Sequence, residues 1–141
     1  MTGKKKYTIG IDFGTTSARA VLIDVNNGKM VASAVYKYPH GVITEKLPDS
    51  DVRLEPDWAL QHPNDYTNAL KRMVPKLTRD SQIDPDQIIG IGVDFTGSTV
   101  IPTTSEGTPL ALIDDYREEP HAWPKLWKHH AAQDKANQIT Q

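Results

Sequence analysis

Residues 9–19 read Ile9-Gly10-Ile11-Asp12-Phe13-Gly14-Thr15-Thr16-Ser17-Ala18-Arg19, and this stretch decides the fold of the 141-residue chain. From residue 7 to residue 13 apolar side chains alternate with small or polar ones, which is typical of a strand with one buried face. The next three residues favour a turn, and residues 18–24 are again rich in small and branched side chains. The pattern predicts a β-hairpin whose first strand ends next to a carboxylate, that of Asp12.

The composition of this hairpin suits phosphate binding. A glycine lets the backbone approach a ligand closely, N–H groups and hydroxyls in a turn can donate to phosphate oxygens, and a carboxylate can hold Mg²⁺ directly or through water. A Walker loop is excluded, because no Gly-Lys-Ser/Thr follows and the next element is a strand. Arg19 either supports the hairpin or points outward from the second strand. The predicted phosphate- and Mg²⁺-binding residues are Asp12, Gly14, Thr15, Thr16, Ser17 and Arg19, with Asp12 as the metal ligand.

Working outward, the sequence predicts a third strand over residues 29–38, after a turn at residues 26–28, so that three antiparallel strands open the domain. Residues 39–62 carry three prolines and a glycine among 24 residues without periodicity, which indicates a long loop. A helix is predicted after Pro63, capped by Asn64 and kinked or shortened near its end by Pro75.

Four features are predicted in the second half of the chain. A brief turn should start at Asp84-Pro85, and the apolar run Ile88–Phe95 is typical of a strand buried on both faces. Residues 100–103 should pair with residues 110–113. A helix is predicted from Trp123 to the end of the chain, with Trp127 in the core.

The bulk composition excludes several classes of protein. The formal net charge is −2 and there is no cysteine, so neither a disulfide framework nor a thiolate metal site is possible. The balanced charge gives no general attraction to nucleic acid or an anionic membrane, and no apolar stretch has the length of a secretory signal or a membrane span. These features predict a cytoplasmic protein that binds neither nucleic acid nor membrane.

The hairpin resembles the first phosphate motif of the actin-like ATPase superfold, and its form Asp-Phe-Gly-Thr-Thr-Ser-x-Arg resembles the FGGY carbohydrate kinases. A second segment, residues 90–99, resembles the fourth strand of that family and the loop that lies over the sugar, in the form found in its ribulokinase branch. A third, residues 126–131, resembles the pattern Leu-Trp-Lys-Asp-His of that branch, with His129 in place of the aspartate. This departure leaves the role of position 129 open.

The resemblance implies an α/β fold of the ribonuclease-H-like (actin-like ATPase) type, with helices on the faces of a mixed sheet. Residues 1–141 would form a partial amino-terminal domain without the second, nucleotide-binding lobe. The implied sugar-binding residues are Asp94, Phe95, Thr96, Gly97 and Ser98.

The implied reaction is phosphorylation of L-ribulose by ATP and Mg²⁺ to L-ribulose 5-phosphate, as in L-arabinose catabolism. The resemblance places the general-base aspartate beyond residue 141, so no catalytic residue is expected in this chain, and the chain should be inactive alone. A homodimer of the full-length enzyme stays open. The alternatives are a kinase of another ketose or polyol (D-ribulose, xylulose or glycerol) and an actin-like nucleotide-binding module that acts through conformational change.

Overall fold

The structure is a computed structural model that describes residues 5–140. The described residues form two compact units: the first contains residues 5–38 together with Tyr66–Phe95, and the second contains Pro39–Asp65 together with residues 96–140. The longer elements, in chain order, are strands β1 (Tyr7–Phe13), β2 (Ser17–Asp24) and β3 (Met30–Lys37), helix α1 (Pro63–Ser81), strand β4 (Ile88–Phe95) and helix α2 (Gln133–Ile139).

The first unit is built on a four-stranded mixed sheet in the order β3-β2-β1-β4. The predicted meander is present, since β1 pairs antiparallel with β2 and β2 pairs antiparallel with β3. Strand β4 returns parallel to β1, so that Ile9 lies beside Ile91 and Ile11 beside Val93. The carboxyl ends of β1 and β4 therefore meet at one edge of the sheet.

The turn between β2 and β3 is held by one carboxylate. Asp24 accepts hydrogen bonds from the backbone N–H of Asn26 at 2.8 Å and from the side-chain amides of Asn26 and Asn27 at 3.0 and 3.3 Å. The Asn26 backbone donor is the main reason that the pKa of Asp24 lies below its ordinary value. Gly28 completes the turn at φ 70°, a conformation that glycine adopts without strain.

Helix α1 supplies the other half of this unit's core. Ala69, Met73 and Leu77 are buried in one cluster with Ile9 and Ile11 of β1, as the helical spacing predicts. The predicted start of the helix was wrong. The helix begins at Pro63 rather than after an Asn64 cap, because proline fits the first turn, where its missing N–H has no helical partner. Pro75 does not end the helix, which continues for six more residues, so the buried face outweighs the hydrogen bond that proline removes.

The prediction that β4 is buried on both faces was wrong. Its side chains after the first are exposed, including 59% of Ile91 and of Val93. Among the described residues only β1 pairs with β4, and no strand covers its other edge. The strand was predicted correctly from its apolar residues, whereas its burial depends on partners that local sequence does not specify.

The second unit has little regular structure. Residues 39–62 contain neither helix nor strand, as predicted, but they are not simply a surface loop. Isolated bridges join Ile43 to Leu60 and Lys46 to Arg53, and Leu60 also bridges to Lys125. The buried cluster of this unit comprises Ile43, Leu47, Leu60, Ala111, Ala122 and Trp123.

The predicted helix from Trp123 was also wrong over most of its length. Lys125 exchanges backbone hydrogen bonds with Val100 at 3.0 and 3.3 Å, and the N–H of Leu126 donates to Ala59 O at 2.9 Å. These bonds hold the segment extended, and the helix forms only at Gln133–Ile139. As a result Trp127 is 49% exposed rather than in the core.

The hairpin predicted for residues 100–103 and 110–113 is reduced to one bridge, between Thr103 and Pro109, and Leu110–Leu112 form a short 3₁₀ helix. The predicted start at Asp84 is present, since Asp84 caps the 3₁₀ helix Pro85–Gln87 through the N–H of Asp86. None of the described helices has the length and apolar character needed to cross a membrane.

Candidate functional site

The turn between β1 and β2 is tight and depends on glycine. The N–H of Gly14 donates to the carbonyl of Ser17 at 3.0 Å, and a Cβ on Gly14 would lie 3.0 Å from that same oxygen. A larger residue would therefore require the backbone at Ser17 to shift by a few tenths of an ångström. Thr15 is half-buried and Thr16 is exposed, so the turn presents backbone and hydroxyl groups at the edge of the sheet.

Two aspartates are neighbours where β1 and β4 end. Asp12 and Asp94 are partners in the parallel register, and each is the penultimate residue of its strand. The side chain of Asp12 is 47% exposed, and its Oδ2 accepts a hydrogen bond from Arg19 Nη1 at 3.1 Å. Asp94 Oδ1 accepts from the backbone N–H of Phe95 at 2.9 Å. The site therefore combines two carboxylates with one guanidinium, all accessible to solvent.

A shallow open hollow of about 460 Å³ lies along the same strands. The hollow forms where Gly10 and Gly92 are partners in the register, because neither residue has a side chain to fill the space. A Cβ on Gly92 would meet nothing within 4 Å, whereas one on Gly10 would reach Val21 Cγ2 at 3.4 Å. Asp12, Arg19 and Asp94 are the charged groups in its lining, so a ligand in the hollow would lie against both carboxylates.

The predicted sugar-binding residues are divided between the two units. Asp94 and Phe95 end β4 in the first unit, whereas Thr96, Gly97 and Ser98 begin the second part of the other unit. In that loop the hydroxyls of Thr96 and Thr99 are 2.9 Å apart, and the left-handed turn falls on Ser98, at φ 63°, rather than on Gly97. Gly97 and Ser98 are exposed, so their backbone and hydroxyl groups are available to a polar ligand.

The second unit contains a cluster of possible metal ligands that the sequence did not predict. His40, His62 and Asp65 bring their ring nitrogens and carboxylate oxygens within 4.8 Å of one another. The pKa of His62 lies below its ordinary value, first because the ring is partly buried and second because His40 is close. The short spacing from His62 to Asp65 was visible in the sequence, but no local pattern connects them to His40.

Position 129, where the family pattern has aspartate, has a structural role in this chain. His129 Nδ1 accepts a hydrogen bond from the backbone N–H of Ala59 at 3.3 Å, and its ring lies edge-on to Trp58 at 4.7 Å. Partial burial, followed by the nearby Lys125, lowers the pKa of His129. The neutral ring, with Nδ1 as acceptor, is the form that this contact requires.

The fold and the phosphate-type hairpin define a domain of the actin-like ATPase fold, the fold of the FGGY sugar kinases to which the structure is similar. The chain belongs to the FGGY family of carbohydrate kinases: residues 7–141 match the N-terminal domain of that family.

Curated relatives show which branch the sequence resembles. The chain is 54% identical over 136 residues to a ribulokinase of Halalkalibacterium halodurans. This alignment covers 96% of this chain and 24% of the relative. It is 53% identical over 137 residues to a ribulokinase of Geobacillus thermodenitrificans, covering 97% of this chain and 24% of the relative. The chain thus spans about a quarter of the length of these relatives.

Solved structures show the same fold at lower identity. A gluconate kinase from Lactobacillus acidophilus matches with a TM-score of 0.72 at 25% identity, over 97% of this chain and 23% of that one. A ligand-bound xylulose kinase from the same organism matches with a TM-score of 0.71 at 25% identity, over 96% of this chain and 22% of that one. A Plasmodium falciparum glycerol kinase with ADP matches at 15% identity and a TM-score of 0.66, over 96% of this chain and 23% of that one. At this identity the match supports the fold alone.

Proposed function

We propose that this chain is the amino-terminal domain of an ATP-dependent kinase that converts L-ribulose to L-ribulose 5-phosphate. The observation that carries the proposal is the pairing of Asp12 with Asp94 beside the Gly14 turn. The 54% identity to a ribulokinase supports L-ribulose as the sugar. By the same reasoning the protein belongs in L-arabinose catabolism in the cytoplasm.

The residues at the hairpin suit ATP phosphates and Mg²⁺. Mg²⁺ prefers oxygen ligands and keeps several waters, and the half-exposed carboxylate of Asp12 can hold such a hydrated ion. Bound there, Mg²⁺ would neutralise charge on the transferred phosphoryl group. The N–H groups and hydroxyls of Thr15, Thr16 and Ser17 can donate to phosphate oxygens, and Arg19, which now pairs with Asp12, can pair with phosphate instead.

The sugar would be bound by the residues that end β4 and follow it. A polyol needs several directional hydrogen bonds, and the carboxylate of Asp94 with the hydroxyls of Thr96 and Ser98 offers both acceptors and donors. Phe95, which is 68% exposed, can pack against the carbon face of the sugar, and Gly97 leaves its backbone open to a ligand.

In this proposal the general base that takes the proton of the sugar hydroxyl comes from outside residues 1–141. Phosphoryl transfer depends mainly on positioning and on electrostatic stabilisation, so a domain without the general base provides little catalysis. We therefore expect no turnover of L-ribulose by the 141-residue chain alone.

The test is a chimaera in which this chain replaces the matching segment of the Halalkalibacterium halodurans ribulokinase, to which it is 54% identical. ADP release is measured with L-ribulose, D-ribulose, D-xylulose and glycerol. The expected result is a preference for L-ribulose that Asp12→Ala abolishes while the melting temperature is retained. The parent enzyme serves as the positive control.

Two other outcomes would change the conclusion. A folded chimaera that prefers D-xylulose or glycerol would make this chain the domain of a different sugar kinase. ADP release that no sugar stimulates would favour a nucleotide-dependent switch, and full activity of the Asp12→Ala chimaera would remove the metal role of Asp12.

A further inference from the structure

The cluster of His40, His62 and Asp65 is separate in composition from the carboxylate site, because two of its three members are imidazoles. His40 Nδ1 and Asp65 Oδ1 are 2.8 Å apart, and the rings of His40 and His62 are stacked with their centroids 4.0 Å apart. All three residues belong to the second unit. Their potential ligand atoms lie within 4.8 Å of one another.

The carboxylate of Asp65 is placed by the fold. Asp65 is the third residue of α1, and its side chain is only 2% exposed. Its other oxygen, Oδ2, accepts from the backbone N–H of His40 at 3.3 Å. A buried carboxylate requires a positive partner or several donors, and His40 supplies a charge only when it is protonated. A bound cation would supply that charge while both rings remain neutral.

We propose that His40, His62 and Asp65 form a binding site for a zinc-class divalent cation, with water as the fourth ligand. Two imidazole nitrogens and one carboxylate oxygen, with one position left to water, are a donor set found in tetrahedral zinc sites. Mg²⁺ prefers oxygen ligands in octahedral geometry and does not fit this set. The site is therefore distinct from the Mg²⁺ site proposed at Asp12.

Cation binding requires a small local rearrangement. Zinc ligands lie about 2.0–2.2 Å from the metal, so their atoms must come closer together than the 4.8 Å limit of the cluster. The stacked rings, now 17° from parallel, must also rotate so that both nitrogens point at one centre. His62 Nδ1 accepts from the N–H of Asn64 at 3.2 Å, and ligation by the other nitrogen would place a proton on Nδ1 and break that bond.

The rearrangement would have an optical signal. The ring of His62 lies edge-on to the buried indole of Trp123, with centroids 5.3 Å apart. Rotation of His62 should therefore change the fluorescence of Trp123. The cation would also tie His40 to the first turn of α1, and a ligand that binds only the folded state raises the melting temperature.

The experiment titrates ZnCl₂ into the metal-free 141-residue chain, followed by calorimetry and by tryptophan fluorescence. We expect one ion per chain, a fluorescence change that saturates at the same ratio, and a rise in melting temperature. His40→Gln, His62→Gln and Asp65→Asn should each weaken binding at least about tenfold, the lower end of the loss seen even for residues that only support metal ligands.

The matched control is His130→Gln, because His130 is exposed and lies outside the cluster. This variant should bind zinc like the unaltered chain, and MgCl₂ at the same concentration should not compete. His40→Gln decides the outcome if His62→Gln fails to fold, since the side chain of His40 is 35% exposed. The proposal is overturned if the unaltered chain binds no zinc, if His40→Gln binds as tightly as the unaltered chain, or if His130→Gln abolishes binding.

Discussion

Asp12 and Asp94 are direct partners across the parallel strands β1 and β4. They are 82 residues apart in the sequence, and the crossover through α1 brings their carboxylates to the same edge of the sheet. Carboxylates on neighbouring strands favour a cation or a hydrogen-bond donor between or beside them. In the described residues the only ion pair of Asp12 is with Arg19, at 3.1 Å.

Arg19→Ala should leave stability nearly unchanged. The Arg19 and Asp12 side chains are 64% and 47% exposed, and exposed ion pairs contribute about 0–1 kcal/mol. We expect the free energy of unfolding in urea to change by less than about 1 kcal/mol. A larger loss would show that Arg19 has a structural role beyond the contact with Asp12. If stability is retained, any loss of ADP release in the chimaera reports on phosphate binding.

Leu77→Ala should destabilise the first unit strongly. Leu77 is fully buried in the cluster between α1 and the sheet, and large-to-small changes at such sites cost about 2–5 kcal/mol. Leu70→Ala on the same helix is the matched control, since Leu70 is 37% exposed and should cost less than about 1 kcal/mol. Chemical denaturation measures both variants. Equal losses would mean that the position of α1 on the sheet is wrong.

Strand β4 should make the isolated chain associate. Ile89, Ile91, Val93 and Phe95 point to one face of the sheet and are 57–68% exposed, and no strand among residues 5–140 pairs with the outer edge of β4. The double substitution Ile91→Thr and Val93→Thr keeps β-branched residues while reducing the apolar surface. We expect it to lower concentration-dependent association in sedimentation velocity, whereas Val35→Thr on the far edge strand should not. An unchanged association constant in the double variant would contradict the prediction.

The pH dependence of stability should include a contribution from His129. Its pKa is lowered in the folded state, so below the ordinary value of 6.5 the unfolded chain binds the proton more readily. The contribution of His129 to stability is therefore complete above pH 6.5 and falls as the pH drops through the lowered pKa. His129→Asn can keep an acceptor near Ala59 without titrating.

The measurement for His129 is the free energy of unfolding of both proteins at pH 7 and at pH 5. The unaltered chain should lose more stability between these values than His129→Asn does, because only the former must take up a proton at this position on unfolding. An equal or larger loss in His129→Asn would contradict a lowered pKa. The control is His130→Asn, which removes a histidine from an exposed position.

The local features of the first unit could be predicted from the sequence. Alternating apolar residues give β1, small and branched residues give β2, and the turn residues between β2 and β3 allow the meander. The turn at Gly14 was also predictable, and the Cβ of a larger residue there would crowd the carbonyl of Ser17. In each case the deciding interactions lie within a few residues along the chain.

After β4, most of the secondary structure could not be predicted from local sequence. Residues 126–131 have helical spacing, yet Leu126 donates to Ala59 and is held extended. The same apolar pattern fits a buried extended segment as well as a short helix, and only the partner segment decides between them. The prediction for Trp127 was wrong for the same reason.

Local sequence is enough to specify the strand pattern of β1–β3, the glycine turn with its carboxylate, and the family motifs, because these depend on neighbours along the chain. Three features depend instead on tertiary packing: Asp12 lies beside Asp94, β4 is exposed, and His40 meets His62 and Asp65. Such contacts join residues separated by tens of positions. They are set by the packing of whole elements, whose free energy no local pattern contains.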